Sequence, residues 1–161
     1  MFQKGAHGQL LLDVNELVRE TLTMLDLDLR TYGISVKTDL SNGLPQLSGD
    51  RGQLQQVFLN LISNAIEAMN SVTDRARNLQ IRTNIVQESS DVVVTVEDSG
   101  AGLGGDDKNR IFEPFFTTKS TGTGVGLTIC RVIIESHGGS LQVFANDPYG
   151  TIFRVVLPSG R

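Results

Sequence analysis

A chain of 161 residues, 39% of them apolar and with seven Phe but no Trp, has the length and composition of one compact domain with a single core. Its net charge of -4, from 14 basic and 18 acidic side chains with no run of either sign, excludes an electrostatic footprint for nucleic acid. No stretch approaches the roughly 20 apolar residues of a membrane span, the start Met1-Phe2-Gln3-Lys4-Gly5 has no secretory core, and a single cysteine, Cys130, excludes an internal disulfide.

In chain order, Leu10-Leu11-Leu12 reads as a short edge strand, and Asp13 as the N-cap of a helix with Val14, Leu17, Val18, Leu22 and Leu25 on one stripe. Ile34 to Leu40 alternates as a half-buried strand does, and Asn42-Gly43 and Pro45 mark a turn after it. Asp50 is a second N-cap candidate, opening a long helix to about Asn70 with Leu54, Val57, Phe58, Leu61, Ile62 and Ala65 at helical spacing. Strands are predicted over Leu79 to Val86 and Val92 to Glu97, the second a Val run suited to the middle of a sheet and ending at Asp98. A polar turn at 106–110 leads to Phe112, Phe115 and Phe116. A helix is then predicted from Gly124 to about His137, with Gly138-Gly139 as its C-cap. Strands Ser140 to Ala145 and Thr151 to Leu157 close the chain around the turn 146–150. The pattern predicts an α+β two-layer sandwich, helices on one face of a mixed, mostly antiparallel sheet.

Four segments carry chemistry. Gly122-Thr123-Gly124-Val125-Gly126-Leu127 runs three alternating glycines into a helix, so that backbone amides and the helix dipole can hold a phosphate; tight turns use the same glycines. It lacks the strand of a dinucleotide fingerprint and the Lys-Ser or Lys-Thr of a P-loop. Asp98-Ser99-Gly100-Ala101-Gly102-Leu103-Gly104 puts a carboxylate at a strand end, suited to accept from an exocyclic amine such as adenine's, or to cap a plain turn. Asn60 and Asn64, four apart, project from one helix face; amide oxygens suit Mg²⁺, and equally the structural hydrogen bonds of a helix rim. The Phe112, Phe115 and Phe116 cluster beside the polar run Thr117 to Thr121 reads as a hydrophobic latch on a lid, expected to lack a fixed conformation without nucleotide.

Together, in this order, the segments resemble the N box, first glycine box, F box and second glycine box of the sensor histidine kinases, within the GHKL (Bergerat-fold) superfamily shared with gyrase, heat-shock chaperone and mismatch-repair ATPases. The resemblance covers residues 10 to about 158. Asn60 to Ala65, Phe112 to Lys119 and Gly122 to Leu127 look most like the nitrogen- and oxygen-sensing branch. It implies ATP and Mg²⁺ as cofactors. Asp98 would take the adenine amine, helped by Gly100, by Gly102 and, through water, by Thr151. Asn64 would ligate Mg²⁺. Thr118, Lys119, Gly122, Thr123, Gly124, Val125, Gly126 and Leu127 would surround the phosphates, with Asn60 and Lys119 in catalytic roles.

Related hydrolases carry a glutamate base where this chain has Asn60, and an amide takes no proton from water, so rapid ATP hydrolysis is not expected. Glu67 departs from the basic residue that many relatives carry after the second asparagine. Neither His7 nor His137 sits in a phosphoacceptor context; His137, ending a helix, reads as structural. The expectation is therefore a monomeric, cytoplasmic fragment: residues 1–9 a flexible remnant after a dimerisation hairpin, residues 10–161 the ATP-binding catalytic domain. Its partners would be the phosphoacceptor helical hairpin and, downstream, a response regulator, with no nucleic acid and no direct membrane contact. A stand-alone ATPase of the superfamily, a serine kinase of the anti-sigma type and a non-catalytic scaffold are the alternatives.

Overall fold

The computed structural model describes residues 9–102 and 124–159, and the architecture is built from these. Strand β1 (Gln9–Leu12) is followed by helix α1 (Val14–Met24), whose N-cap Asp13 accepts from the Glu16 amide at 3.2 Å. The helix does not run through the whole predicted stripe. It breaks at Leu25, and a short helix α2 (Asp26–Thr31), tied by an Arg30–Asp26 ion pair one turn apart, carries Leu29 into the core.

Strand β2 (Ser35–Leu40) pairs in parallel with β4 (Asn78–Ile85) and is mostly exposed. The half-buried alternation expected of it is not realised: Val36 is 40% exposed, and Ile34, just before the strand, is the buried residue. The reason is position, since β2 is an edge strand with one neighbour, and its residues from Ser35 to Asp39 are all exposed. Strand β3 (Leu47–Asp50), absent from the sequence reading, pairs antiparallel with β1 as a separate two-stranded sheet.

Helix α3 (Arg51–Asn70) begins at its predicted cap, Asp50, which accepts from the Gln53 amide at 3.1 Å. It buries Leu54, Val57, Phe58, Leu61, Ile62, Ala65, Ile66 and Met69. Strand β5 (Val92–Asp98), helix α4 (Gly124–Ser136), and strands β6 (Ser140–Ala145) and β7 (Thr151–Leu157) complete the main sheet in the order β2-β4-β5-β7-β6, every pairing but the first antiparallel. As the Val run implied, β5 is central. The inward residues of β5 (Val92, Val94, Val96) and β7 (Phe153, Val155, Leu157) meet α3 and α4 in one core, so the two-layer sandwich expected from the sequence is what forms.

Two polar devices fix this assembly. Buried Asn15 donates to Ser41 O at 2.7 Å and accepts from Thr83 Oγ1 at 2.8 Å, so its amide is not stranded in the core. His137, at the end of α4, accepts the Asp50 amide on Nε2 at 3.1 Å. Because a backbone N–H must donate there, Nδ1 carries the ring proton and donates to Ile133 O at 2.8 Å. The histidine read as structural thus ties the last turn of α4 to the first of α3. Among the described residues no helix is long and apolar enough to cross a membrane.

Candidate functional site

Strand alternation places Asp98. Val92, Val94, Val96 and Asp98 fall on one face of β5, the face toward the helices, and the carboxylate sits at the strand's end, 2% exposed. The register Glu97↔Ile152 sets it beside Thr151, the first residue of β7 and 5% exposed. Its Oδ1 accepts the Gly100 amide at 2.8 Å. Its backbone carbonyl accepts from Asn146 Nδ2 at 3.0 Å.

Three glycines let these segments close. Gly150 has φ +99, and a Cβ there would lie 1.9 Å from the Asp98 carbonyl oxygen and 3.0 Å from Oδ1, so any side chain would push β5 and the turn apart. Gly100 meets α3 instead, where a Cβ would lie 2.7 Å from Ala68 O. Beside it the Ala101 amide donates to the same Ala68 carbonyl at 3.3 Å. Gly102 stacks on Gly150, its missing Cβ 3.3 Å from the Gly150 carbonyl.

Helix periodicity places the asparagines. Asn60, Asn64 and Ala68 recur every four residues on one face of α3, a stripe of about 12 Å at 1.5 Å per residue. At one end Asn60 Nδ2 approaches Gly126 O at 3.4 Å, in the first turn of α4. At the other, Ala68 touches the turn after Asp98. Between them Asn64 donates Nδ2 to Asn60 O at 2.8 Å, while Asn60 Oδ1 accepts from Gln56 Nε2 at 3.2 Å. Half-buried Glu67 follows on the same helix. Beneath the stripe, burial pushes the Cys130 thiol up to about 11 from 9.0, opposed by a hydrogen bond to the Asn60 side chain.

Of the residues singled out from sequence, the structure brings together Asp98, Gly100, Gly102 and Thr151 at one end of the α3 stripe and Asn60, Asn64, Gly126 and Leu127 at the other. Gly124 is the first residue of α4 and Val125 the second. Thr118, Lys119, Gly122 and Thr123, with the Phe112, Phe115 and Phe116 cluster, lie outside the described residues, as do residues 1–8. The sequence reading missed Arg75 and Asn146, which grip the Asp98 turn from behind; both stand in polar, irregular stretches where nothing local marks them.

Comparison with known proteins gives the family and the fold. The family described as histidine kinase-, DNA gyrase B-, and HSP90-like ATPase matches residues 49–161. The sensor protein TdiS of Thauera aromatica is 38% identical over 146 residues, 91% of this chain and 27% of its own length. The sensor histidine kinase ZraS of Escherichia coli K12 is 34% identical over 91% of this chain and 30% of its own length. The chain thus spans under a third of the curated relatives it matches. Among solved structures, the nucleotide-free catalytic domain of the histidine kinase ThkA superposes with a TM-score of 0.81 at 34% identity, covering 94% of this chain and 96% of that one. ThkA has also been solved in complex with the response regulator TrrA, where the match has a TM-score of 0.78 at 30% identity over 94% of this chain and 42% of that one.

Proposed function

The chain belongs to the histidine kinase-, DNA gyrase B- and HSP90-like ATPase family, as the ATPase domain of its sensor histidine kinase members, and from that premise we propose that it binds ATP with Mg²⁺ along the α3 stripe and donates the γ-phosphoryl group to a histidine on a separate helical hairpin. The observation that carries the reading is the stripe itself. One helix face joins a buried carboxylate and two close-packed glycines at one end to the opening turn of α4 at the other, the layout needed by a ligand with a base and a phosphate chain.

In this reading the Gly100 amide fixes Oδ1, and the carboxylate's other oxygen receives the purine amine, each oxygen having room for more than one donor. The early amides of α4, which have no partner within their helix, face the phosphates; Lys119 and Thr118, outside the described residues, would join them there. For Mg²⁺ the donor set fits a shared ion: no cluster of three His, Cys, Asp or Glu exists among the described residues, so the Asn64 amide oxygen would be joined by phosphate oxygens and water. When bound, the ion neutralises charge on the phosphates. Asn60 orients and does not accept a proton, its amide already set between Gln56 and Gly126. Transfer therefore rests on positioning and charge neutralisation, the nucleophile being supplied by a partner, and hydrolysis of ATP by the chain alone is slow. We place the domain in the cytoplasm, residues 10–161 forming the catalytic unit. The acceptor hairpin and a response regulator are its partners.

Calorimetric titration with a non-hydrolysable ATP analogue tests this. Binding that strengthens with Mg²⁺, and loses that Mg²⁺ dependence in Asn64→Ala, is expected. Absence of binding with or without the metal refutes it.

A further inference from the structure

On the open face of the sheet, behind Asp98, lies a cavity of about 340 Å³ bordered by Arg75, Glu97, Asn146 and Tyr149. The Arg75 side chain, only 19% exposed, donates from Nε to Ser99 O at 3.0 Å and from Nη2 to Gly100 O at 2.7 Å. Its guanidinium carbon lies 3.9 Å over the Tyr149 ring, one residue before the Gly150 that abuts the Asp98 carbonyl. The planar fork thus spans two successive carbonyls while the aromatic face covers it.

The two edges of one peptide unit link this grip to the carboxylate. Ser99 C=O and Gly100 N–H belong to the same rigid plane. Arg75 holds the carbonyl edge, and the N–H edge donates to Asp98 Oδ1 at 2.8 Å. Rotation of that plane would swing the N–H and the carboxylate with it. From the other side Asn146 Nδ2 holds the Asp98 carbonyl at 3.0 Å. We propose that Arg75, braced on Tyr149, is a positioning residue that aims the Asp98 carboxylate and thereby sets the preference for 6-aminopurine nucleotides.

The inference rests on the adenine reading of Asp98, and the test separates the two. Dissociation constants for ATP and for inosine triphosphate, which presents a 6-oxo group in place of the amine, are measured on the unaltered chain, Asp98→Asn, Arg75→Ala, Tyr149→Ala and Tyr149→Phe. The unaltered chain prefers ATP by about tenfold or more, as one charged hydrogen bond requires. Arg75→Ala weakens ATP binding toward the inosine value while leaving the inosine nucleotide nearly unchanged. Tyr149→Ala, at a position 49% exposed where folding is not at stake, moves the ratio the same way, and Tyr149→Phe, which keeps the ring, restores it. Equal loss for both nucleotides, or an unchanged ratio, in Arg75→Ala and Tyr149→Ala overturns the proposal. Should Arg75→Ala not fold, the tyrosine pair decides it. An Asp98→Asn chain with an unaltered ATP preference refutes the adenine reading itself, and this inference with it.

Discussion

Replacing Gly150 with alanine puts a methyl group where the structure leaves no space. At φ +99 the added Cβ would stand 1.9 Å from the Asp98 carbonyl oxygen, and a displacement of about 1.5 Å is needed to bring that pair to an ordinary contact of roughly 3.4 Å. Gly43, at φ +76 with nothing within 4 Å of its added Cβ, separates backbone strain from collision. Strain alone destabilises Gly43→Ala by about 1–2 kcal/mol. Gly150→Ala bears a similar strain and about 1–3 kcal/mol more for overpacking against a β5 carbonyl. For a chain of this length each kcal/mol lowers the melting midpoint by roughly 2–4 °C. The difference between the two variants, read by thermal unfolding, is therefore about 2–12 °C. Because the displaced atoms belong to Asp98, Gly150→Ala also weakens ATP binding about tenfold or more, whereas Gly43→Ala leaves it alone. Equal midpoints for the two variants, or unaltered ATP affinity in Gly150→Ala, would refute the close approach of the 146–150 turn to the carboxylate.

Asp98→Asn is expected to exchange nucleotides rather than merely lose one: the Gly100 amide keeps the Oδ1 position, so the new NH₂ group points toward the purine, ATP binding falls about 10- to 100-fold and inosine triphosphate binding rises; a fall for both nucleotides contradicts the assigned orientation. His137→Ala removes the acceptor of the Asp50 amide and the donor to Ile133 O, and denaturant titration should register a loss of about 1–3 kcal/mol, an unchanged midpoint refuting the tie between α3 and α4. Cys130 releases its proton near 9.0 when unfolded and near 11 when folded, because burial disfavours the thiolate; its contribution is intact below pH 9 and is lost as pH rises toward 11. Stability profiles of the unaltered chain and Cys130→Ala should therefore converge between pH 9 and 11, and parallel profiles would exclude the raised value.

The elements legible in the sequence are those whose signals are local. Asp13 and Asp50 each cap a helix through their own third neighbour, and the four-residue spacing of Asn60 and Asn64 by itself puts both amides on one helix face. The Val run of β5 announced a central strand and so a buried Asp98. β3 could not be read, because Leu47-Ser48-Gly49-Asp50 has no alternation of its own and becomes a strand only by pairing with the distant β1. The exposure of β2 was equally hidden, since alternation reports a strand and not how many of its faces are covered. Asp74-Arg75-Ala76-Arg77 carries no local pattern, yet Arg75 and Arg77 between them bind carbonyls of Ser99, Gly100, Val72, Asn70 and Tyr32.

The glycines around the Asp98 turn owe their place to packing between elements. Gly100 makes room for α3: its absent side chain is replaced by the Ala68 backbone, and the Ala101 amide donates there as well. Gly150 makes room for β5. Neither vacancy faces open space. Their effect on a ligand is indirect: Gly150 lets the 146–150 turn close on Asp98, and Gly100, by letting α3 onto the Asp98 turn, brings the Asn60 and Asn64 amides and the carboxylate onto one surface. A side chain at Gly100 would hold α3 off the turn and so pull apart the two ends of the site at once, although that side chain would touch no nucleotide. Packing and binding are therefore a single constraint at these positions.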